Sequence, residues 1–169
     1  MRRLAWILVV ILGACLPTFA QSEAPNFEIA PTYSYLRISQ TGTNFNGGSL
    51  SAAVRVNRSI GLVADFGGYT GGGGATLVSY LFGPRFSYRG DKLTPFAQAL
   101  LGGVSEIAGL GAYSGSTSFG MALGGGLDVG VSKSLAIRVV QADYFMTRFA
   151  GQTQNNARLS FGIVFRIQK

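Results

Sequence analysis

The chain contains no histidine, a single cysteine and few charges: only 12% of its 169 residues are Asp, Glu, Lys or Arg, about half the usual share for a soluble domain. Without histidine there is no ordinary base to activate a serine or to work with an aspartate, and Lys92, Lys133 and Lys169 fall in turns or at the terminus. Catalysis is therefore not expected. Metal binding lacks histidine, a mature thiol and any close carboxylate cluster, so neither a metal nor a cofactor is expected. Basic runs are missing as well. Eleven of the fourteen basic residues are arginines, and they are scattered rather than gathered on one stripe, which argues against a nucleic-acid partner. Beyond the first twenty residues no apolar run approaches the roughly 20 residues that a spanning helix needs, so any membrane crossing must be made by strands.

What is present begins with an export signal. Arg2 and Arg3 precede the apolar run 4–12, and Thr18 and Ala20 sit three and one before a cut. Residues 1–20 are expected to be a cleaved secretory signal, 21–26 a short lead and 27–169 the folded domain. A competing reading takes Leu12-Gly13-Ala14-Cys15 as a lipoprotein box with Cys15 acylated, although Gly13 and Leu16 fit it poorly. A cut after Ala20 removes Cys15, so the mature chain has no thiol chemistry. It also removes Arg2 and Arg3 from the 14 basic residues, leaving 12 against 7 acidic.

Turn chemistry divides the remainder into eight strand-like segments near 27–39, 47–57, 59–69, 76–89, 92–106, 117–131, 135–147 and 156–168. The connections alternate in length. Asn57-Arg58-Ser59, Arg89-Gly90-Asp91-Lys92 and Ser132-Lys133-Ser134 are tight, whereas 40–46, 70–75, 107–116 and 148–155 are longer and rich in Gly, Ser, Thr and Asn. An even number of antiparallel strands then puts both termini and all short turns at one rim, and the long loops at the other.

Each segment alternates large apolar residues with small or charged ones. In the last, Leu159, Phe161, Ile163, Phe165 and Ile167 share one face, while Arg158, Ser160, Gly162 and Arg166 share the other. Ser49, Ser51, Ala53 and Arg55 oppose Leu50, Ala52, Val54 and Val56; Gly61, Asp65 and Gly67 continue the polar face, as do Gly120, Ala122, Gly124, Gly126 and Asp128. A water-facing surface should be a quarter to a third charged. This polar face is mostly Gly, Ala and Ser, which suits the crowded inside of an eight-stranded barrel. The apolar face then meets lipid, with Tyr80 and Tyr88 as candidate interface aromatics flanking Phe82, Pro84 and Phe86. Their eight-residue separation is roughly 27 Å of strand, or about 20 Å of height at the usual tilt. Two segments resist phasing. Phe96 to Gly103 is apolar on both faces, and Arg138 and Asp143 have opposite parity; a bulge would resolve either.

These features make the chain resemble the small outer-membrane β-barrel proteins, the family of the membrane domain of outer-membrane protein A. The resemblance spans Phe27 to Ile167 and is carried by pattern, with Lys92-Leu93-Thr94-Pro95-Phe96 looking like the Pro-aromatic opening of a fifth strand. It implies an all-β, eight-stranded antiparallel up-and-down transmembrane barrel in the bacterial outer membrane. It also implies outer-membrane lipid and the barrel-assembly machinery as partners, with Phe161 and Phe165 as candidate assembly signals. The small barrel enzymes that trim or acylate lipid A are similar in size, but their chemistry leans on a histidine that this chain lacks.

The polar constellation that stands out is Glu28, Asp65, Asp128 and Asp143 with Arg55, Arg85, Arg138 and Arg158. Buried charges need partners, so an interior ion-pair network that plugs the barrel is expected; a charged constriction in a narrow pore is the alternative. Gly71-Gly72-Gly73-Gly74 lacks the Lys-Ser or Lys-Thr and the helix of a phosphate cradle and is read as a loop. Arg89-Gly90-Asp91 is read as a hairpin turn rather than an adhesion tripeptide, and Asn57-Arg58-Ser59 as a turn rather than a glycosylation acceptor. The leading function is a structural or surface-interaction barrel meeting an extracellular ligand through loops 40–46, 70–75, 107–116 (with Tyr113) and 148–155. A small pore and a soluble lipocalin-like periplasmic binder are the rival readings.

Overall fold

The computed structural model describes residues 27–39, 42–71, 75–108, 117–149 and 152–167. The expected signal with Cys15, the lead 21–26 and Tyr113 lie outside them. Eight strands follow one another: β1 Phe27–Ile38, β2 Asn44–Arg55, β3 Ile60–Gly71, β4 Ala75–Ser87, β5 Leu93–Ala108, β6 Thr117–Gly130, β7 Leu135–Phe149 and β8 Gln152–Ile167. Each pairs antiparallel with the next, and β1 pairs with β8 from Phe27↔Ile167 to Ile38↔Asn156, which closes the barrel. Closure leaves no strand edge unpaired, the condition for placing backbone amides in an apolar medium.

The short-turn rim is built by local hydrogen bonds. The Asn57 side-chain oxygen accepts from the Ser59 amide at 2.9 Å and the Ile60 amide at 2.8 Å, an Asx-type turn between β2 and β3. The Gly90 amide donates to the Leu93 carbonyl at 2.9 Å, and the Ser132 amide to the Leu135 carbonyl at 2.9 Å, to set the other two. At the opposite rim the ladder runs further than composition suggested. Positions 44–46, 70–71, 107–108, 148–149 and 152–155, expected in loops, are strand. Polar composition there was misleading for a physical reason: beyond the apolar belt a ladder can carry Asn, Gln and Thr outward, because water satisfies the side chains while the backbone stays paired.

The seventh strand contains the irregularity that its parity required. Arg138 pairs with Gly162 and Gln141 with Ser160, so Val139 and Val140 together oppose Phe161. On the other side the register shifts between Leu127 and Asp128, which pair with Val140 and Arg138. Both valines face outward while Arg138 and Gln141 are buried, as a bulge of one extra residue produces. The fifth strand is regular. Phe96, Leu100 and Val104 point inward and Leu101 outward, so its two apolar faces reflect an inside that is itself partly apolar.

The outward face carries Leu62, Phe66, Phe82, Phe86, Leu101 and Phe161, each about half exposed, and this band continues around all eight strands. Soluble proteins keep apolar patches to a few hundred Å²; a complete belt suits lipid. Above it, toward the long-loop rim, the outward positions turn polar: Arg37, Asn46, Thr70, Thr117, Arg148 and Asn155 are all exposed. Tyr80 and Tyr88 both face outward, Tyr80 on β4 beside Gly103 and Tyr88 just past the end of β4. Phe161 and Phe165 are also outward, with the Phe161 ring tilted against Tyr33 at 5.3 Å between ring centroids. Phe82→Arg, in the middle of this belt, is expected to cost about 2–4 kcal/mol, measured as a lowered denaturant midpoint for folding into lipid vesicles.

Candidate functional site

Because strand positions of one parity converge on the axis, the side chains that share the interior are set by register. They form layers. On the long-loop side is an apolar cluster of Leu36, Phe45, Leu77, Leu81, Leu100 and Val104, all buried, which reaches down to the charged residues, with Leu36 paired opposite Arg158 and Leu81 opposite Asp65. A uniformly polar filling was expected, and it is corrected here: each of these residues has inward parity in its own strand and packs against the others. The signal was present as large apolar residues on both faces of the fifth strand. A bulge there was the expected explanation, whereas the strand is regular and the inward apolar residues are part of the filling.

Against the lower part of this apolar cluster lies the central charge cluster. Arg158 on β8 is fully buried and spans the barrel. Its Nη1 donates to Asp65 Oδ1 on β3 at 2.8 Å and to the Tyr69 hydroxyl at 3.0 Å, while Nη2 and Nε donate to Asp143 Oδ2 on β7 at 2.7 and 2.9 Å. Its guanidinium also sits 5.5 Å from the Phe145 ring centroid. Gly67 is needed beside it, since a side chain there would overlap the Tyr69 hydroxyl that reaches Arg158.

The next layer contains Arg138, whose Nε and Nη2 donate to the two oxygens of Asp128 at 2.8 and 3.1 Å, a paired-fork geometry. Arg138 Nη1 donates to Gln141 at 2.9 Å, and Gln141 passes the connection to Asp143 at 2.7 Å. The bulge is what lets Arg138 and Gln141 share the interior. Arg85, 4% exposed, meets no carboxylate at ion-pair distance among the described residues; its Nε and Nη2 donate to Gln98 at 3.1 and 2.8 Å. Gln98 in turn donates to Asp143 at 3.2 Å. Arg85 and Arg138 each stand 4.5 Å from the centroid of the Phe96 ring, whose electron-rich faces favour cations.

At the short-turn rim Glu28 pairs with Arg89, and Arg166 Nε lies 3.6 Å from the same carboxylate. Of the eight charged residues singled out in sequence, Asp65, Asp143 and Arg158 form one cluster and Asp128 and Arg138 a second. Arg85 joins them through Gln98, and Glu28 belongs to the rim. Arg55 is half-buried at that rim, where it lines a cleft with Arg58, Arg85 and Arg89. Sequence reasoning missed Tyr69, Gln98, Gln141, Arg89 and the ring of Phe96. Tyr69 shares parity with Asp65, and Gln98 with Phe96, so parity would have found both. Among the described residues no group of three or more carboxylates, cysteines or histidines could hold a metal.

No protein-family model matches this sequence, and no curated protein does. Solved structures do. The crystal structure of Neisserial surface protein A superposes with a TM-score of 0.71 at 15% identity, covering 87% of this chain and all of that one. The chain has the fold of the small outer-membrane β-barrels. The barrel is also similar to Ail, the attachment invasion locus protein of Yersinia pestis, with a TM-score of 0.53, 15% identity and 87% of this chain against 100% of that chain. The N-terminal β-barrel domain of Pseudomonas aeruginosa OprF gives 0.54 and 15%, covering 85% of this chain and 100% of that domain. At this identity the likeness is one of fold, and the fold places the layered interior inside an apolar wall.

Proposed function

We propose that this chain is an outer-membrane barrel with a structural or surface-interaction role, in which a sealed, non-catalytic scaffold holds the long-loop rim out to an extracellular partner. The observation that carries the reading is the combination of a continuous apolar belt outside with an interior filled on every level. Leu36, Leu81, Leu100, Val104 and Arg158 are all fully buried, and in an eight-stranded barrel such filling leaves no room for an aqueous path. The interior carboxylates support the non-catalytic part, because Asp65, Asp128 and Asp143 are each tied to an arginine. The lipocalin-like reading needs the opposite faces, an apolar cavity inside and a charged surface outside. Insertion by the barrel-assembly machinery, with Phe161 and Phe165 on the outward face of the closing strand, belongs to the same proposal. That small barrels include a Neisserial surface protein and a Yersinia attachment protein is in keeping with a role for the loop rim.

Two measurements test this. Cell fractionation with a detergent gel run unheated and boiled is expected to show the chain in the outer-membrane fraction with a heat-dependent shift; recovery as a soluble periplasmic protein would overturn the placement. In planar bilayers the purified barrel is expected to give no discrete conductance, whereas steady openings whose selectivity changes in Arg85→Ala would replace the sealed scaffold with a pore.

A further inference from the structure

The charge of the barrel is distributed unevenly along its axis. Three carboxylates and three guanidiniums balance inside: Asp65, Asp128 and Asp143 against Arg85, Arg138 and Arg158. The short-turn rim does not balance. There Arg55, Arg58, Arg89, Lys92, Lys133 and Arg166 stand against Glu28 and Asp91 among the described residues. Arg55, Arg58 and Arg89 line one open cleft with Glu28 and the hydroxyl-bearing Ser59 and Ser87, and the interior Arg85 closes its floor.

Like charges gathered in a partly enclosed mouth repel each other and concentrate counter-ions, the more so where low-dielectric walls focus the field. Glu28 is already shared between Arg89 and Arg166. Arg85 forms the floor of the cleft, with its guanidinium held by the Gln98 side chain and the Phe96 ring. Arg58 stands at the tip of a turn that Asn57 fixes through two backbone hydrogen bonds, and the Ser87 amide bonds to the Ser59 carbonyl at 2.7 Å, which ties that turn to the end of β4. The cationic groups are thus mounted on a rigid frame. Guanidiniums present forked donors suited to oxyanions. A tetrahedral anion offers more oxygens than a carboxylate, matching donors that arrive from the ends of β2 and β4 and from two serines.

We propose that this cleft at the short-turn mouth is a binding site for a phosphate group. That it faces the periplasm rests on the outer-membrane placement proposed above; the binding itself does not. The phosphate would come from the headgroup of a lipid in the adjacent leaflet or from a soluble periplasmic phosphate.

The test is a titration of the isotopically labelled barrel in zwitterionic detergent micelles with inorganic phosphate, set against chloride at equal ionic strength and read by amide chemical shifts. Saturable shifts at residues 57–60 and at Ser87 are expected with phosphate only. Arg58→Glu, an exposed turn position, is expected to weaken binding roughly tenfold or more, while Lys133→Glu in the β6–β7 turn leaves it unchanged. Shifts that never saturate, that chloride reproduces, or that Lys133→Glu removes equally would overturn the site. A second arm uses bicelles: if phosphatidylglycerol but not phosphatidylcholine moves the same amides, a lipid headgroup is the source; if only inorganic phosphate does, the source is soluble. Failure of the placement would appear in cell fractionation and leave this titration unaffected.

Discussion

Replacing Arg158 by methionine is expected to destabilise the folded barrel by about 3–5 kcal/mol, the range for removing one member of a buried ion pair. The substitution keeps an unbranched apolar stem, shorter than arginine, and removes the one guanidinium that both Asp65 and Asp143 contact at ion-pair distance among the described residues. Two carboxylates would then remain in a fully enclosed layer. Each must stay ionised without a direct counter-charge or take up a proton, and either course costs free energy relative to the native pair. Tyr69 would lose its acceptor role toward Arg158, and Gln98 and Gln141 would remain as neutral donors to Asp143. Arg158→Lys is expected to fall between, because an ammonium is a point charge and cannot hold Asp65 and Asp143 with separate nitrogens as the fork does. The decisive comparison is the triple variant Arg158→Met with Asp65→Asn and Asp143→Asn, which removes all three charges together and should regain most of the loss. The measurement is the denaturant midpoint for folding into lipid vesicles followed by circular dichroism, since the one tryptophan of the sequence, Trp6, lies in the expected signal. If the single variant unfolds at the parental midpoint, Arg158 does not tie the barrel together. If the triple variant is no better than the single one, the role of Arg158 is packing against Phe145 and Tyr69, not charge.

How much of this was legible beforehand follows from what a period-2 pattern encodes. Parity along β8 separates Leu159 and Phe161 from Arg158 and Ser160 without ambiguity, so the wall and the inside were readable there, as were the strand count and closure. The partners of each charge were not. Arg158 lies ninety-three positions from Asp65 in the chain, and what brings them together is the cumulative stagger of five strand pairings, which no local pattern contains. Arg85 met a glutamine instead of a carboxylate for the same reason: β4 and β5 are in a register that puts Arg85 opposite Gln98. The loop lengths were misjudged because Thr153, Gln154 and Asn155 are polar, and a polar ladder above a membrane has the composition of a loop while keeping the hydrogen bonds of a strand. The apolar cluster toward the long-loop end was not legible either, because Phe45 fell in the expected loop 40–46 and only its register with Leu36 turns it inward against Leu77 and Val104.

Deleting Val139 is expected to leave a folded barrel, whereas deleting Leu159 on the neighbouring strand is expected to abolish folding. Both variants remove one branched, outward-facing apolar residue, so hydropathy does not separate them; register does. Around the bulge Arg138 and Gln141 face inward with two valines between them. Removing one valine leaves a single outward residue between two inward ones, the arrangement of a regular strand, and Asp128 can still face Arg138. The cost is the local twist the bulge supplied and one lipid-facing side chain, of the order of 1–2 kcal/mol. Removing Leu159 makes Arg158 and Ser160 adjacent in a strand that pairs regularly with β1, and adjacent residues point to opposite faces. One side of the strand must then turn over. Either Arg158 leaves Asp65 and Asp143 for lipid, or Ser160 and Arg166 turn outward while Phe161, Ile163 and Phe165 crowd the interior. The first course strands two carboxylates inside and the second overfills a packed interior, a loss of several kcal/mol that exceeds the usual margin of a small domain. The heat-dependent gel shift distinguishes the two directly: a retained shift for the Val139 deletion and none for the Leu159 deletion. Equal behaviour of the two deletions would mean that the bulge does not supply the spare residue of the strand, and that the placement of Arg138 beside Asp128 has some other cause.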